Sequence, residues 1–310
     1  MKKLIFNRRE FLSAISLGTG YMMFGNPVVA YSRSIVSADP FQLVRLGNSG
    51  IKTTLLGMGT GVNGYQRSSQ LTRQDKKISL NAFRHAYDLG IRMFDCADIY
   101  GTHSLMAETL RHIPRDEVTL VTKMWVFEGS GIPEAERPGA DIVVERFLRE
   151  LKTDYIDLVQ LHCMMDAGWT DQYRWQMDLL ENLKSKGIIR AHGVSVHSMG
   201  AMKAALASPW VDVIHVRVNP YGIRMDMPDA GEVIPVIQQL HDSGKGVIGM
   251  KMIGGGDYTG DGEKINETLR YVLGLKSVDM VVVGFETGSQ IDNYAQRMKN
   301  VLAGMKNEVV

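Results

Sequence analysis

The chain is 310 residues long, with 35 Lys and Arg against 34 Asp and Glu, a formal net charge of +1 and 45% hydrophobic residues. That composition excludes a disordered, fibrous or collagen-like chain. A charge so near zero offers no field for nucleic acid or anionic lipid, and two cysteines exclude a disulfide framework and a Cys-rich zinc site. At about 150 residues per domain the length suggests two domains, although α/β barrels run to about 250 residues as one.

Residues 1–30 stand apart. Lys2, Lys3, Arg8 and Arg9 against Glu10 give a net of +3. An apolar run from Phe11 to Gly25 follows, then the small residues Val28, Val29 and Ala30. Basic, apolar, small is the order of a secretory signal peptide. The run is too short and too rich in Gly and Ser to be a bilayer-spanning helix of about 20 residues. Asn7-Arg8-Arg9-Glu10-Phe11-Leu12 resembles the twin-arginine (Tat) signature, with Asn7 where Ser or Thr is usual and Ser13 where Lys is common. The alternative is an amphipathic N-terminal helix or an uncleaved anchor. The Tat resemblance implies a bacterial, periplasmic protein that folds before meeting the Tat export machinery, with no stable membrane span after cleavage. Residues 31–40 read as a linker and 41–310 as one domain.

Within that domain, Leu43–Leu46 and Lys52–Leu56 flank Gly47-Asn48-Ser49-Gly50, a hairpin signal. Leu56–Thr60 is a short apolar run. Ile78, Ala82, Phe83, Ala86 and Leu89 follow helical spacing, and Gly90 stops the helix. The pattern then predicts a strand over 91–95, a helix over 103–112, a strand over 118–121 and a helix over 140–152. Next come a strand over 155–161, a helix over 172–186, a strand over 188–194, a helix over 198–207 and a strand over 211–216. Helices over 230–243, 262–273 and 287–303, with strands over 246–250 and 278–283, complete the chain. Eight strands after the hairpin alternate with eight helices, which implies parallel strands with right-handed crossovers. The predicted fold is therefore an α/β (β/α)8 TIM barrel with an N-terminal β-hairpin. The alternative is a doubly wound open sheet, but Gly57-Met58-Gly59-Thr60-Gly61 lacks the G-x-G-x-x-G spacing that usually opens one. The longest loop, 124–139, follows the third strand on the face where barrel enzymes keep their sites.

Three strand ends on that face carry chemistry. The second barrel strand ends in Asp95 and is followed by Tyr100; the third ends in Lys123 and Trp125; the fourth ends in His162. A free phenol has a pKa of about 10 and is a weak acid at neutral pH. A nearby ammonium is expected to lower it, a carboxylate to hold the ammonium, and an imidazole to orient a substrate oxygen. Tyr100 then becomes a usable general acid or base. Each of these residues alone reads more simply as structural; the four together point to catalysis.

Asp95-x-Ala97-x-x-Tyr100-Gly101, Thr122-Lys123 and Asp157-Leu158-(x)3-His162 resemble the aldo-keto reductase superfamily, over about residues 41–300. The resemblance implies an NAD(P)(H)-dependent enzyme that moves a hydride between nicotinamide and a carbonyl or alcohol substrate. It assigns Tyr100 as general acid, Lys123 and Asp95 as its tuning pair, and His162 as the group that positions the carbonyl. Trp125 would line the substrate pocket, and no metal is needed. On the cofactor side it implies Ser195, then His215 in place of the usual Gln, then Asn219. Met250 stands where a stacking Tyr is common, and Lys251 and Gly254 are placed to meet the pyrophosphate. Val196 replaces an Asn of the family pattern. Glu286 and Thr287 stand where NADP-preferring members carry a base, so NAD against NADP is open with a tilt toward NAD(H). The alternatives are a non-catalytic binding or accessory subunit on the same barrel, and a barrel enzyme with permanently bound dinucleotide.

Overall fold

In the computed structural model, which describes residues 37–128 and 132–307, strands β1 (Leu43–Arg45) and β2 (Lys52–Thr54) form the expected antiparallel hairpin. Gly47 sits at φ +47, and a Cβ there would lie 2.4 Å from the Gly244 carbonyl oxygen, so only glycine fits this turn. The Gly47 N–H donates to the Asp279 carboxylate at 3.0 Å and the Asn48 N–H to Gly244 O at 2.8 Å. Those bonds dock the hairpin, and Leu46 and Ile51 become part of the apolar cluster inside the barrel. The leader of residues 1–30, positions 31–36 of the linker, and Gly129 and Gly131 of the long loop lie outside the described residues.

Eight strands follow: β3 (Leu56–Gly59), β4 (Met93–Asp95), β5 (Thr119–Met124), β6 (Ile156–Met164), β7 (Ile189–Val196), β8 (Val213–Arg217), β9 (Gly246–Met250) and β10 (Met280–Gly284). They close into a barrel in the order β10-β3-β4-β5-β6-β7-β8-β9, with every neighbouring pair parallel. Met93, Val121, Leu158, Ala191, Val213, Ile248 and Met280 fill the interior, one from each of seven successive strands. A barrel of this size has no empty lumen, so polar side chains collect where this packing ends, at the C-terminal mouth.

The helices are α1 (Gln70–Arg73), α2 (Lys76–Leu89), α3 (His103–Leu110), α4 (Ala140–Leu151), α5 (Trp169–Gln172), α6 (Arg174–Ser185), α7 (Met199–Ala207), α8 (Ala230–Asp242), α9 (Gly262–Gly274) and α10 (Gly288–Asn307). In α4 the buried residues Ala140, Val143, Val144, Phe147 and Leu151 repeat at the three- and four-residue spacing that turns one face to the barrel. The helix expected over 172–186 is broken at Tyr173, whose φ and ψ of −110° and 22° are non-helical. The buried Trp169 anchors the extra turn, its indole N–H donating to Ala201 O at 3.2 Å. Among the described residues no helix is long and apolar enough to cross a membrane.

Candidate active site

The register of the barrel sets the mouth. Asp95 pairs opposite Val121, and Lys123 opposite Gln160 one strand on. The Asp95 and Lys123 side chains therefore meet inside: Lys123 Nζ donates to Asp95 Oδ1 at 2.5 Å and to the Cys96 carbonyl at 3.1 Å. Both are buried, Lys123 at 1% exposure. Burial alone would raise the Asp95 pKa, but the Lys123 ammonium, helped by His215, holds this carboxyl well below the usual range.

Tyr100 lies beyond the end of β4, on a single 3-10 turn, Asp98–Tyr100. Its hydroxyl is 3.4 Å from His162 Nε2, and the Lys123 ammonium is 5.2 Å from its ring centre. The four residues expected to act together are thus brought together. The electrostatic expectation is corrected, however. Burial, followed by the Asp95 carboxylate and the thiols of Cys163 and Cys96, holds the phenol well above its ordinary pKa. The Lys123 ammonium, paired with Asp95, does not overcome that. Tyr100 is accordingly fully protonated at neutral pH. Burial and the Lys123 charge push His162 well below its ordinary value, so its imidazole is neutral. Its Nδ1 has no hydrogen-bond partner among the described residues.

Aromatic rings wall the approach. The Trp125 ring stands edge-on to His162 at 5.4 Å and to Phe127 at 5.4 Å, and Phe127 meets Tyr173 at 5.8 Å. Phe127 and Tyr173 carry no signal in the sequence: one lies in an irregular loop and the other falls in the first turn of the helix expected over 172–186. Cys163, at φ +64, has its N–H held by Ser195 Oγ at 2.8 Å and its Sγ 3.1 Å from His197 Nδ1.

The residues expected on the cofactor side divide. Ser195 is buried at the end of β7. Met250 ends β9, and its half-buried side chain packs on the interior cluster. Lys251 adopts φ +62 and is half-buried, and its side-chain ammonium makes no hydrogen bond or ion pair among the described residues. Its neighbours Arg217 and Arg224 are already paired, with Asp226 and Asp257. Gly254 opens a turn of three glycines, Gly254–Gly256, all at positive φ. Glu286 and Thr287 lead into α10, where both backbone N–H groups donate to Gln290 Oε1, at 2.7 and 3.3 Å.

Two placements depart from expectation. His215 is not at the rim. It is fully buried with Nε2 3.4 Å from Asp95 Oδ1. Asn219 has no free amide. Nδ2 donates to Ile223 O at 2.8 Å and Lys251 O at 3.3 Å, while Oδ1 accepts from the N–H groups of Tyr221 and Ile223 at 3.1 and 3.2 Å. Asn219 therefore builds the loop that seats Lys251. Arg297, the first basic residue of α10, is tied to Gly262 O at 3.2 Å and Asn266 Oδ1 at 3.3 Å. Among the described residues no three His, Cys, Asp or Glu side chains cluster as metal ligands.

Residues 55–268 match the model of the Aldo/keto reductase family. The chain is 25% identical over 229 residues to the Glycine max protein named Probable aldo-keto reductase 1, a match covering 71% of this chain and 62% of that one. It is 30% identical over 188 residues to aldo-keto reductase YhdN of Bacillus subtilis, covering 57% of this chain and 53% of the relative. The chain thus spans between half and two thirds of the length of these curated relatives. A crystal structure of an aldo/keto reductase from Klebsiella pneumoniae, in complex with NADP and acetate, superposes with a TM-score of 0.61 at 19% identity, covering 82% of this chain and 89% of that one. At that identity the likeness is one of fold.

Proposed function

The chain belongs to the aldo/keto reductase family, and on that premise we propose that it is a nicotinamide-dependent oxidoreductase that interconverts a small-molecule carbonyl and its alcohol. The observation that carries this reading is the Tyr100 hydroxyl, held protonated 3.4 Å from a neutral His162 and beside the buried Asp95–Lys123 pair. A neutral imidazole can hydrogen-bond the substrate oxygen without competing for the proton. In reduction the carbonyl carbon takes a hydride and its oxygen takes the Tyr100 proton. The phenolate so formed lies next to the Lys123 ammonium, which favours that charge once it exists. In the reverse direction Tyr100 is the base.

The residues fit a dinucleotide. Lys251 offers a side-chain ammonium unpaired among the described residues, and Gly254–Gly256 a backbone free of side chains. Ser195 would hold the nicotinamide carboxamide, Met250 would cover the ring, and Lys251 with Gly254 would meet the phosphates; His215 lies too deep for that role and faces Asp95 instead. When bound, the nicotinamide supplies or takes up the hydride. Glu286 and Thr287, with no base between Lys276 and Arg297, favour NAD(H) over the NADP seen in the Klebsiella relative. The leader of residues 1–30 supports export through the twin-arginine route and a periplasmic site of action. Titration with NADH and NADPH, followed by turnover of a panel of aldehydes and ketones, tests this reading. Saturable binding with carbonyl-dependent oxidation of the dinucleotide supports it; absence of binding by either overturns it in favour of a non-catalytic role.

A further inference from the structure

The ladder of the barrel positions Lys123 but not Tyr100. The last bond of β4 to β5 is Cys96 N–H to Val121 O at 2.8 Å, and the chain then leaves the sheet for the turn that bears Tyr100. What fixes that turn is the carboxylate of Asp98, buried at 4% exposure. A buried carboxylate requires a partner, and Arg146 on the outer helix α4 provides one in bidentate form, Nη2 to Oδ2 at 2.6 Å and Nη1 to Oδ1 at 2.9 Å. Arg67 adds Nε to Asp98 Oδ1 at 3.1 Å.

The same guanidinium reaches the other member of the pair. Arg146 Nη1 bonds Glu150 Oε1 at 3.0 Å, Glu150 Oε2 meets His103 Nδ1 at 2.6 Å, and His103 Nε2 meets Thr122 Oγ1 at 2.7 Å. Thr122 is buried and immediately precedes Lys123 on β5. Against the pull of burial, His103 and Arg146 hold the Glu150 carboxyl down at about 2, so it meets both partners as a carboxylate.

We propose that Arg146 is the positioning residue that sets the separation of Tyr100 and Lys123, through Asp98 on one side and through Glu150, His103 and Thr122 on the other. It touches neither substrate nor dinucleotide and acts only through these groups. The inference rests on Tyr100 being the general acid. A planar fork is needed because two carboxylates on different elements, Asp98 and Glu150, are held at once; an ammonium cannot do this with the same geometry.

The test counts turnover per dinucleotide-binding site. Wild type, Arg146→Met, Arg146→Lys and Tyr100→Phe are each titrated with dinucleotide to give the number of competent sites, and kcat per site is measured with 4-nitrobenzaldehyde. Arg146→Met is expected to lower kcat per site by about ten- to a hundredfold, the scale of a small misplacement of a reacting group, with dinucleotide Kd unchanged within about twofold. Arg146→Lys keeps the charge, and is expected to recover part of that loss. A merely structural Arg146 would reduce the number of sites and leave kcat per site alone. Should kcat per site in both Arg146 variants match wild type while Tyr100→Phe is inactive, the positioning role is overturned and the acid assignment stands. If Arg146→Met does not fold, Arg146→Lys alone decides, by a reduced or an unreduced kcat per site. Full activity of Tyr100→Phe overturns both.

Discussion

Replacing Lys123 with Met removes one half of a buried ion pair and keeps most of the side-chain volume. Lys123 is 1% exposed and donates to Asp95 at 2.5 Å and to Cys96 O at 3.1 Å. Leaving a buried charge without its partner costs about 3–5 kcal/mol. His215, 3.4 Å from the same carboxylate oxygen, still faces Asp95 in the variant, which puts the expected loss near the lower end of that range. The pH dependence has a definite sign. In wild type the Asp95 pKa is depressed, so its contribution to stability is present above the unfolded carboxylate value of about 3.9 and is lost as pH falls through that value and below. In Lys123→Met burial acts on Asp95 without the ammonium and raises its pKa. The variant's penalty is then full at neutral pH and is relieved as acid protonates the carboxyl. Urea unfolding at pH 7 and again at about pH 5 measures both effects, and Asp95→Asn with Lys123→Met closes the cycle. The double variant is expected to recover at least half of the loss. A Lys123→Met penalty under about 1 kcal/mol at pH 7, or a double variant no more stable than the single, refutes the claim that this pair is a buried and mutually dependent unit.

Three further outcomes follow from other parts of the chain. Gly47→Ala forces a Cβ to within 2.4 Å of Gly244 O at a positive φ, and is expected to destabilise by about 2 kcal/mol in thermal or urea unfolding. Arg8→Lys with Arg9→Lys keeps the leader's charge but removes its twin-arginine identity; fractionation should find the full-length protein retained in the cytoplasm, and delivery to the periplasm would point to the general secretory route. Glu286→Arg should improve NADPH binding relative to NADH in paired titrations. A wild-type preference for NADPH beyond tenfold, about 1.4 kcal/mol, would refute the reading of the loop before α10.

Hydrophobic period carried the barrel, because each strand and each helix buries one continuous face, and such faces repeat locally. The hairpin turn was equally plain, since Gly47 and Gly50 both adopt the positive φ that the Gly-Asn-Ser-Gly run suggests. Asp95, Tyr100, Lys123 and His162 were recognisable as a set because each sits at or just past a strand end, where topology alone brings them to one mouth. The contacts that settle how they work were not visible in this way. Arg146 joins Asp98, 48 positions away, to a path ending at Thr122, and nothing in local spacing marks such a link. The state of Tyr100 depended on how deeply its ring is enclosed: Gly61 and Gly64 pack so closely that a Cβ on either would fall 2.4 to 2.6 Å from it. The loss of water there outweighs the ammonium, which residue identities do not reveal. His215 and Asn219 were assigned by position along their strand, while their roles turn on depth and on the loop that follows.

The central claim is that Tyr100 carries the proton in carbonyl reduction, and Tyr100→Phe tests it directly because the ring's packing is kept while the hydroxyl facing His162 is removed. Carbonyl-dependent oxidation of the dinucleotide is followed for wild type and variant at matched saturation, with dinucleotide Kd measured alongside. The expected result is a fall in kcat of about 10²–10⁴, the range for loss of a general acid, with Kd unchanged within about twofold. Turnover by the variant within a few-fold of wild type would contradict the assignment and move the search for the proton donor to another group at the mouth.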